Sequence, residues 1–335
     1  MIKDLVSQLL KKKDLSQAQM QEAMQEILSG TTDVADIIAF LTSLNDKGET
    51  VEELTAAVTM MLKYVEPIIV DKPNILDTCG TGGDRAGTFN ISTVCAFVAA
   101  GAGVTVAKHG NRSVSSKCGS ADILEALGVN ILMPREKIKK ALEEIGIAFL
   151  FAPSLHPAMK FVAQARKQIA RKTMFNILGP LINPARSTNQ LVGVYDKRWT
   201  RPLAEVLHNL GTKHVLVVHG ADGLDEVTTI AETFVSEYRA EDLKDYQIIP
   251  EDYGFPRAKR ADISGGDIKK SAKIVLGILS GARGAKTDIV LFNSACAIYA
   301  ADKAKTIAEG VTLARHSIDS GEAFRKLELL KEYSK

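Results

Sequence analysis

The chain has 335 residues, 46% of them hydrophobic, with 42 Lys plus Arg against 40 Asp plus Glu for a formal charge of +2. That length exceeds what one core usually fills, so two domains are expected, and the near-neutral balance excludes bulk attraction to nucleic acid or an anionic membrane. Cys79, Cys95, Cys118 and Cys296 are too scattered for a zinc or C-x-x-C motif and too few for a disulfide framework; MIKDLVSQLLKKKD lacks a signal-peptide core and no apolar run reaches membrane-spanning length, so a cytoplasmic protein is expected.

Residues 1 to about 70 predict helices and no strand. The pattern Ser16–Leu28 closes at Gly30, Thr32–Lys47 closes at Gly48, and Thr50 caps a run to Val65. Met20, Met24, Met60 and Met61 read as core filler. From Pro73 the rhythm changes. Strand-length signals at Asn74–Leu76, Val104–Ala107, Asn130–Leu132, Ile147–Phe151, Leu191–Tyr195 and Val215–Val218 alternate with helical patterns, which predicts a mainly parallel sheet flanked by helices.

Residues 154–184 interrupt that alternation with an Arg- and Lys-rich helical pattern and the turn segment FNILGPLINPA. They read as an excursion packing back on the first helices. The expected division is therefore α/β with a small, discontinuous all-helical domain, 1–70 plus the excursion, beside a larger α/β domain, 71–335, the crossing segments acting as a hinge. After Val227 a polar stretch to Arg260 reads as loop and short strands, and helical patterns near Asp267–Ser280 and Asp288–Gly310 complete the cover of the sheet. No internal repeat or low-complexity segment is present.

Three stretches carry chemistry. In ILDTCGTGGDRAGTFNIST, Ile75–Thr93, Gly80, Gly82 and Gly83 permit positive φ and close approach after a strand, and Asn90, Ser92 and Thr93 are placed to cap the apolar run Val94–Ala100. Consecutive backbone N–H groups and a helix N-terminus can then converge on an anion. The bland alternative is a Gly-rich turn before a capped helix. KHGNRSVSSKCGSADILEALG, Lys108–Gly128, sets Lys108, His109, Arg112 and Lys117 among Gly110, Asn111 and serines, which suits a polyanion, against the alternative of a solvated basic loop. Ser120 stands where a second helix begins. His109 lacks a sequence-placed acid to orient it and reads as lining a ligand, not as a general base. VVHGADGLDE, Val217–Glu226, ends a strand in the adjacent acids Asp225 and Glu226, which either hold magnesium or are solvated surface acids.

DTCGTGGD with NIST, KHGNRSVSSKCGSADILEALG, FNILGPLINPA and HGADGLDE, in this order over most of residues 50 to 310, resemble the anthranilate phosphoribosyltransferase family. The resemblance implies a phosphoribosyltransferase-like and nucleoside-phosphorylase-like fold, a homodimer, and transfer of the 5-phosphoribosyl group from phosphoribosyl pyrophosphate to anthranilate in tryptophan biosynthesis. It also implies roles for residues. Gly80, Gly83, Asp84 and Thr88 would meet the diphosphate and ribose, and Asn90, Ile91, Ser92 and Thr93 the phosphates. Lys108, His109, Gly110, Asn111, Arg112, Ser113, Val114, Ser115, Ser116 and Ser120 would complete the donor site. Gly80, Asn111 and Arg166 would approach anthranilate, and Ser92, Asp225 and Glu226 would hold two magnesium ions per monomer. Where the family usually has Gly and Arg before Thr173, this chain has Ala170 and Lys172, and after Gly265 it keeps GGD but not the residues that usually follow.

Two other readings differ in what they require. A nucleoside phosphorylase of related architecture would use inorganic phosphate and ignore phosphoribosyl pyrophosphate. A non-catalytic nucleic-acid binder would need a basic stripe with interleaved aromatics, which this chain lacks.

Overall fold

The structure is a computed structural model that describes residues 1–112, 118–169 and 171–335. Four helices open the chain: α1 (Ile2–Leu10), α2 (Gln17–Ser29), α3 (Val34–Lys47) and α4 (Val51–Lys63). Reciprocal caps, Ser16 with Gln19 and Thr50 with Glu53, satisfy the first amides of α2 and α4. Gly30, in the left-handed region at φ 80°, ends α2. α1 is a helix beyond the three patterns read from the sequence; its Ile2, Leu5 and Leu9 form a short buried stripe.

The α/β part follows with β1 (Ile75–Gly80), α5 (Ile91–Gly101), β2 (Thr105–Gly110), α6 (Ser120–Ala126), α7 (Arg135–Glu144) and β3 (Ile147–Phe151). Asn130–Leu132, expected as a strand, is a loop. The Asn130 side chain accepts the Leu132 N–H at 3.0 Å and its own N–H goes to Ser334 Oγ at 2.9 Å, so a local turn takes the bonds a ladder would need. The short helix α8 (Ala152–Leu155) and α9 (Lys160–Gln168) come next, then β4 (Asn189–Gly193), α10 (Thr200–Asn209) and β5 (His214–Gly220).

Two seven-residue strands, β6 (Thr233–Arg239) and β7 (Asp242–Ile248), stand where loop and short strands were expected. Their two-residue turn is Ala240–Glu241, both at positive φ, without the Asn-Gly signature that announces such hairpins. Helices α11 (Ile268–Leu279), α12 (Ala285–Ala300), α13 (Ile307–Asp319) and α14 (Glu322–Ser334) close the chain. The single run expected over Asp288–Gly310 is broken after Ala300, where Asp302 adopts φ 55° and its carboxylate meets His214 and Arg239.

Among the described residues the strands form one sheet in the order β3-β2-β1-β4-β5-β6-β7. The pairings from β3 to β5 are parallel; β6 and β7 are antiparallel additions. One apolar cluster packs α5 and α11–α14 on one face. A second joins α1–α4 with Val162 and Ala165 of α9, Phe175 and Leu178, and reaches Val192, Val194, Val215 and Val217 on the other face. Ala158, Val162, Ala165, Met174, Phe175, Ile177 and Leu178 of the 154–184 stretch are thus buried with the N-terminal helices, whereas Leu155 packs in the first cluster.

Candidate functional site

Strand order reverses at β1: β2 and β3 extend to one side and β4 and β5 to the other. The crevice beyond the carboxyl ends of β1 and β4 is where an open α/β sheet receives ligands. The two strands end in paired glycines, Gly80 opposite Gly193. A Cβ on Gly193 would lie 1.6 Å from the Asp225 carbonyl oxygen, and one on Gly80 would lie 2.8 Å from Asp225 Oδ2. Bare backbone at both strand ends is therefore what lets the Asp225 segment lie across them.

The first loop folds around that carboxylate. Gly82 N–H donates to Asp225 Oδ2 at 2.7 Å, Thr81 N–H donates to the Gly193 carbonyl at 2.9 Å, and Asp84 Oδ1 accepts the Ala86 N–H at 3.1 Å. Gly82 and Gly83 sit at φ 65° and 81°, and Arg85 between them and Gly87 shares that left-handed region at φ 57°. Thr88 bridges to Ser264, and a Cβ on Gly265 would lie 2.7 Å from the Thr88 carbonyl. The GGD segment near residue 265 is thereby laid against the far end of the same loop.

The start of α5 differs from the cap expected from the sequence. Asn90 holds the N-cap position without a side-chain cap, its Nδ2 donating instead to the Cys118 carbonyl at 3.1 Å, and Thr93 is wholly buried with its hydroxyl unpartnered. Ser92 faces the site: its Oγ accepts from Lys108 Nζ at 3.3 Å, and its N–H donates to the Glu226 carboxylate. Lys108 is only 3% exposed and also donates to the Thr78 carbonyl, so its charge lies beneath the loop.

Three carboxyls crowd this space. Burial first, then the Asp84 charge, pushes the Asp225 carboxyl up to about 7; burial and the Asp225 charge raise Glu226 well above the usual carboxylate range, and Lys108 offsets only part of that. Asp84, Lys108 and Glu226, from three separate motifs, therefore share one crevice. A site with two or three hard oxygen donors and too little positive charge suits a divalent cation beside phosphate.

Of the second motif, Gly110 ends β2 and Asn111 is exposed beside it. Arg112 is turned onto α6, paired with Asp122 at 2.9 Å and Glu125 at 2.5 Å, and lies 5.6 Å from the Phe151 ring centroid. Ser120 is the first residue of α6, whose Gly119 N–H is taken by Asp122 at 2.8 Å. Ser113, Val114, Ser115, Ser116 and Lys117, and the departure at Ala170, lie outside the described residues. His109 is buried, its Nε2 3.0 Å from His156 Nε2. Burial, then the neighbouring ring, lowers His109 to about 3, and burial lowers His156 to about 4, so the two rings form a buried pair that favours the neutral state.

Arg166 lies in the last turn of α9, half-buried, 5.7 Å from the Phe175 ring centroid. Burial lowers its pKa, and among the described residues no carboxylate sits at ion-pair distance from it. Such a guanidinium suits a planar carboxylate ligand.

Several residues of this environment were not singled out in the sequence. Asp77, wholly buried in β1, accepts from the His109 N–H at 3.0 Å and from Asn183 Nδ2 at 2.8 Å, while Asn183 also donates to the Ala107 carbonyl at 2.8 Å. The segment FNILGPLINPA thus staples β1 to β2 below the crevice. An acid inside an apolar strand signal was the available clue to Asp77; nothing local marked His156, Gly193 or Tyr195, and Lys172 was marked only as a departure from the family pattern.

The chain resembles known proteins over nearly its full length. It matches the glycosyl transferase family, a/b domain, over residues 72–324 and the glycosyl transferase family, helical bundle domain, over residues 3–65. It is 50% identical over 333 residues to anthranilate phosphoribosyltransferase of Symbiobacterium thermophilum, covering 99% of this chain and 98% of that one. Identity to the enzyme of Methanobrevibacter smithii is 49%, covering 100% and 99%. Among solved structures, anthranilate phosphoribosyltransferase from Thermus thermophilus superposes with a TM-score of 0.94 at 38% identity, covering 98% of each chain. The Saccharomyces cerevisiae enzyme in complex with PRPP and Mg superposes with a TM-score of 0.91 at 29% identity, covering 99% of this chain and 97% of that one.

Proposed function

The chain belongs to the anthranilate phosphoribosyltransferase family of glycosyl transferases, and from that premise we propose how its own residues carry the reaction. It transfers the 5-phosphoribosyl group of phosphoribosyl pyrophosphate to the amine of anthranilate, giving N-(5-phosphoribosyl)anthranilate and pyrophosphate in tryptophan biosynthesis. The observation that carries the residue-level reading is the convergence of Asp84, Lys108, Asp225 and Glu226 on one crevice.

The donor site runs from Gly80, Gly83, Asp84 and Thr88 to Asn90, Ile91 and Ser92, with buried Thr93 acting through the first turn of α5. Lys108, His109, Gly110, Asn111, Arg112, the serines and valine at 113–116 and Ser120 would bound it on the second side. Magnesium fits the acids. Among the described residues no set of three or more His, Cys, Asp and Glu side chains is arranged to hold a metal alone, so Asp225, Glu226 and Ser92 would share two ions with substrate oxygens and water. Bound there, magnesium would neutralise charge on the diphosphate.

As the bond from C1 to pyrophosphate stretches, the ribose takes on oxocarbenium character and the leaving group gains charge. Backbone N–H groups of the Gly-rich loop not already bonded within the chain, as those of Thr81, Gly82 and Ala86 are, would face that charge, each such donor being worth roughly 2 to 4 kcal/mol if it behaves as an oxyanion-hole contact. The aromatic amine of anthranilate is unprotonated near neutral pH, so no strong base is required. Gly80, Asn111 and the half-buried Arg166 would orient it, the last by gripping its carboxylate. The helical layer, 1–70 with 154–184, would move against the 71–335 domain to bring acceptor and donor together. The protein would work as a cytoplasmic homodimer.

The direct test is loss of anthranilate fluorescence on adding phosphoribosyl pyrophosphate and Mg²⁺. Fluorescence is expected to fall only when all three are present. Turnover of a nucleoside with inorganic phosphate, and none of anthranilate, would reject the reading.

A further inference from the structure

Lys172 has no part in the reaction as described, yet it touches both halves of the site. Its carbonyl accepts from Asn45 Nδ2 of α3 at 2.9 Å, and Arg171 beside it grips Asp46 and the Thr42 carbonyl near the end of that helix. The connection is therefore fastened to the helical layer. The side chain runs the opposite way. Nζ donates to the Gly83 carbonyl at 3.1 Å and stands 3.0 Å from the Tyr195 ring centroid. Tyr195 in turn donates its N–H to Thr81 Oγ1 at 3.1 Å, so ammonium and ring together brace the Thr81–Gly83 turn.

The charges around Lys172 agree with that placement. Partial burial disfavours the ammonium and Arg85 repels it, while Asp225, Asp196 and Asp84 attract it. Gly82 N–H is drawn toward Asp225 while the Gly83 carbonyl is drawn toward Lys172. Opposite pulls on the peptide groups that flank Gly82 and Gly83 hold a turn that these two residues, both at positive φ, would otherwise leave free to rotate.

We propose that Lys172 is a positioning residue for the donor substrate: it sets the Gly82–Asp84 turn that receives the diphosphate and ties that turn to the helical layer bearing Arg166. This rests on the phosphoribosyl-transfer reading. It makes no contact with reacting atoms; it acts through Gly83.

Steady-state kinetics of Lys172→Met and Lys172→Arg test it. In Lys172→Met the KM for phosphoribosyl pyrophosphate is expected to rise about tenfold, with the anthranilate KM within about twofold of the parent. Lys172→Arg, which keeps charge, donor and ring contact, is expected to restore the donor KM to within about threefold. A donor KM unchanged in Lys172→Met, or both KM values rising together, overturns the proposal. If Lys172→Met does not fold, Lys172→Gln carries the same expectation and the same refutation. Absence of product from the parent protein rejects the reaction itself; an active parent with an unaffected variant rejects only the role of Lys172.

Discussion

At the scale of single residues, the site depends on what two positions lack and on what one position carries. Gly193→Ala would drive a methyl into the Asp225 backbone, because a Cβ there lies 1.6 Å from its carbonyl oxygen. Displacing Asp225 and its Gly82 contact is expected to lower kcat/KM about 100-fold, with far-ultraviolet circular dichroism retained. Near-parental activity would show that the Asp225 segment shifts without consequence. Arg166→Ala removes a half-buried guanidinium that has no ion-pair partner among the described residues, and the anthranilate KM is expected to rise about tenfold or more while the donor KM changes much less. The reverse order would move Arg166 out of the acceptor site. The sequence made Asp84, Asp225 and Glu226 legible because short motifs place acids and glycines at strand ends. It left Gly193 unmarked, since a strand-ending glycine acquires meaning only through a segment 32 positions further along that lies across it.

At the scale of elements, β5, β6 and the α12–α13 corner are joined by a polar network remote from the loops. His214, fully buried, bridges Glu237 and Asp302 at 3.0 Å each, and Tyr246 and Tyr299 each donate to Glu237 at 2.7 Å. Burial pushes Glu237 up, but these hydrogen bonds outweigh it and hold the carboxyl at about 2. A folded pKa below the unfolded value of 4.5 means the stability is present above 4.5 and lost as pH falls toward 2. Glu237→Gln is expected to cost on the order of 3 kcal/mol near neutral pH and to flatten the fall in urea midpoint between pH 4.5 and pH 3. An unchanged midpoint profile would remove Glu237 from this role. This network also explains why elements here were hard to read. Asp302 breaks a helical pattern in order to reach His214, and the β6–β7 hairpin turns through Ala240–Glu241, which carry no turn signature. Long periodic runs and capped helices, such as α2 and α4, were legible because their signals are local.

At the scale of the whole molecule, the strand order places the Gly-rich loop after β1 and the Asp225 segment after β5 at the same end of the sheet, with Gly82 N–H bonded to Asp225. A ligand that recognises this arrangement stabilises it. Phosphoribosyl pyrophosphate with Mg²⁺, at about 100 times its Kd, is expected to raise Tm by about 5 °C in a thermal scan. No shift would count against a donor site preformed in the free chain. The alternation of strands and helices made the α/β class readable, because period-two and helical signals differ over whole segments. Strand order was not readable, since nothing in a strand's own residues states which neighbour it will join.

The bare ends of β1 and β4 bear on how such a protein can change its preferences. With Gly80 and Gly193 filled by the chain's own acidic segment, the floor offers no room in which a new side chain could reshape the cavity. On the proposed assignment, adaptation toward other aromatic acids would fall instead to α9, where Arg166 lies 5.7 Å from the Phe175 ring centroid. The donor side would then stay fixed while the acceptor side varied.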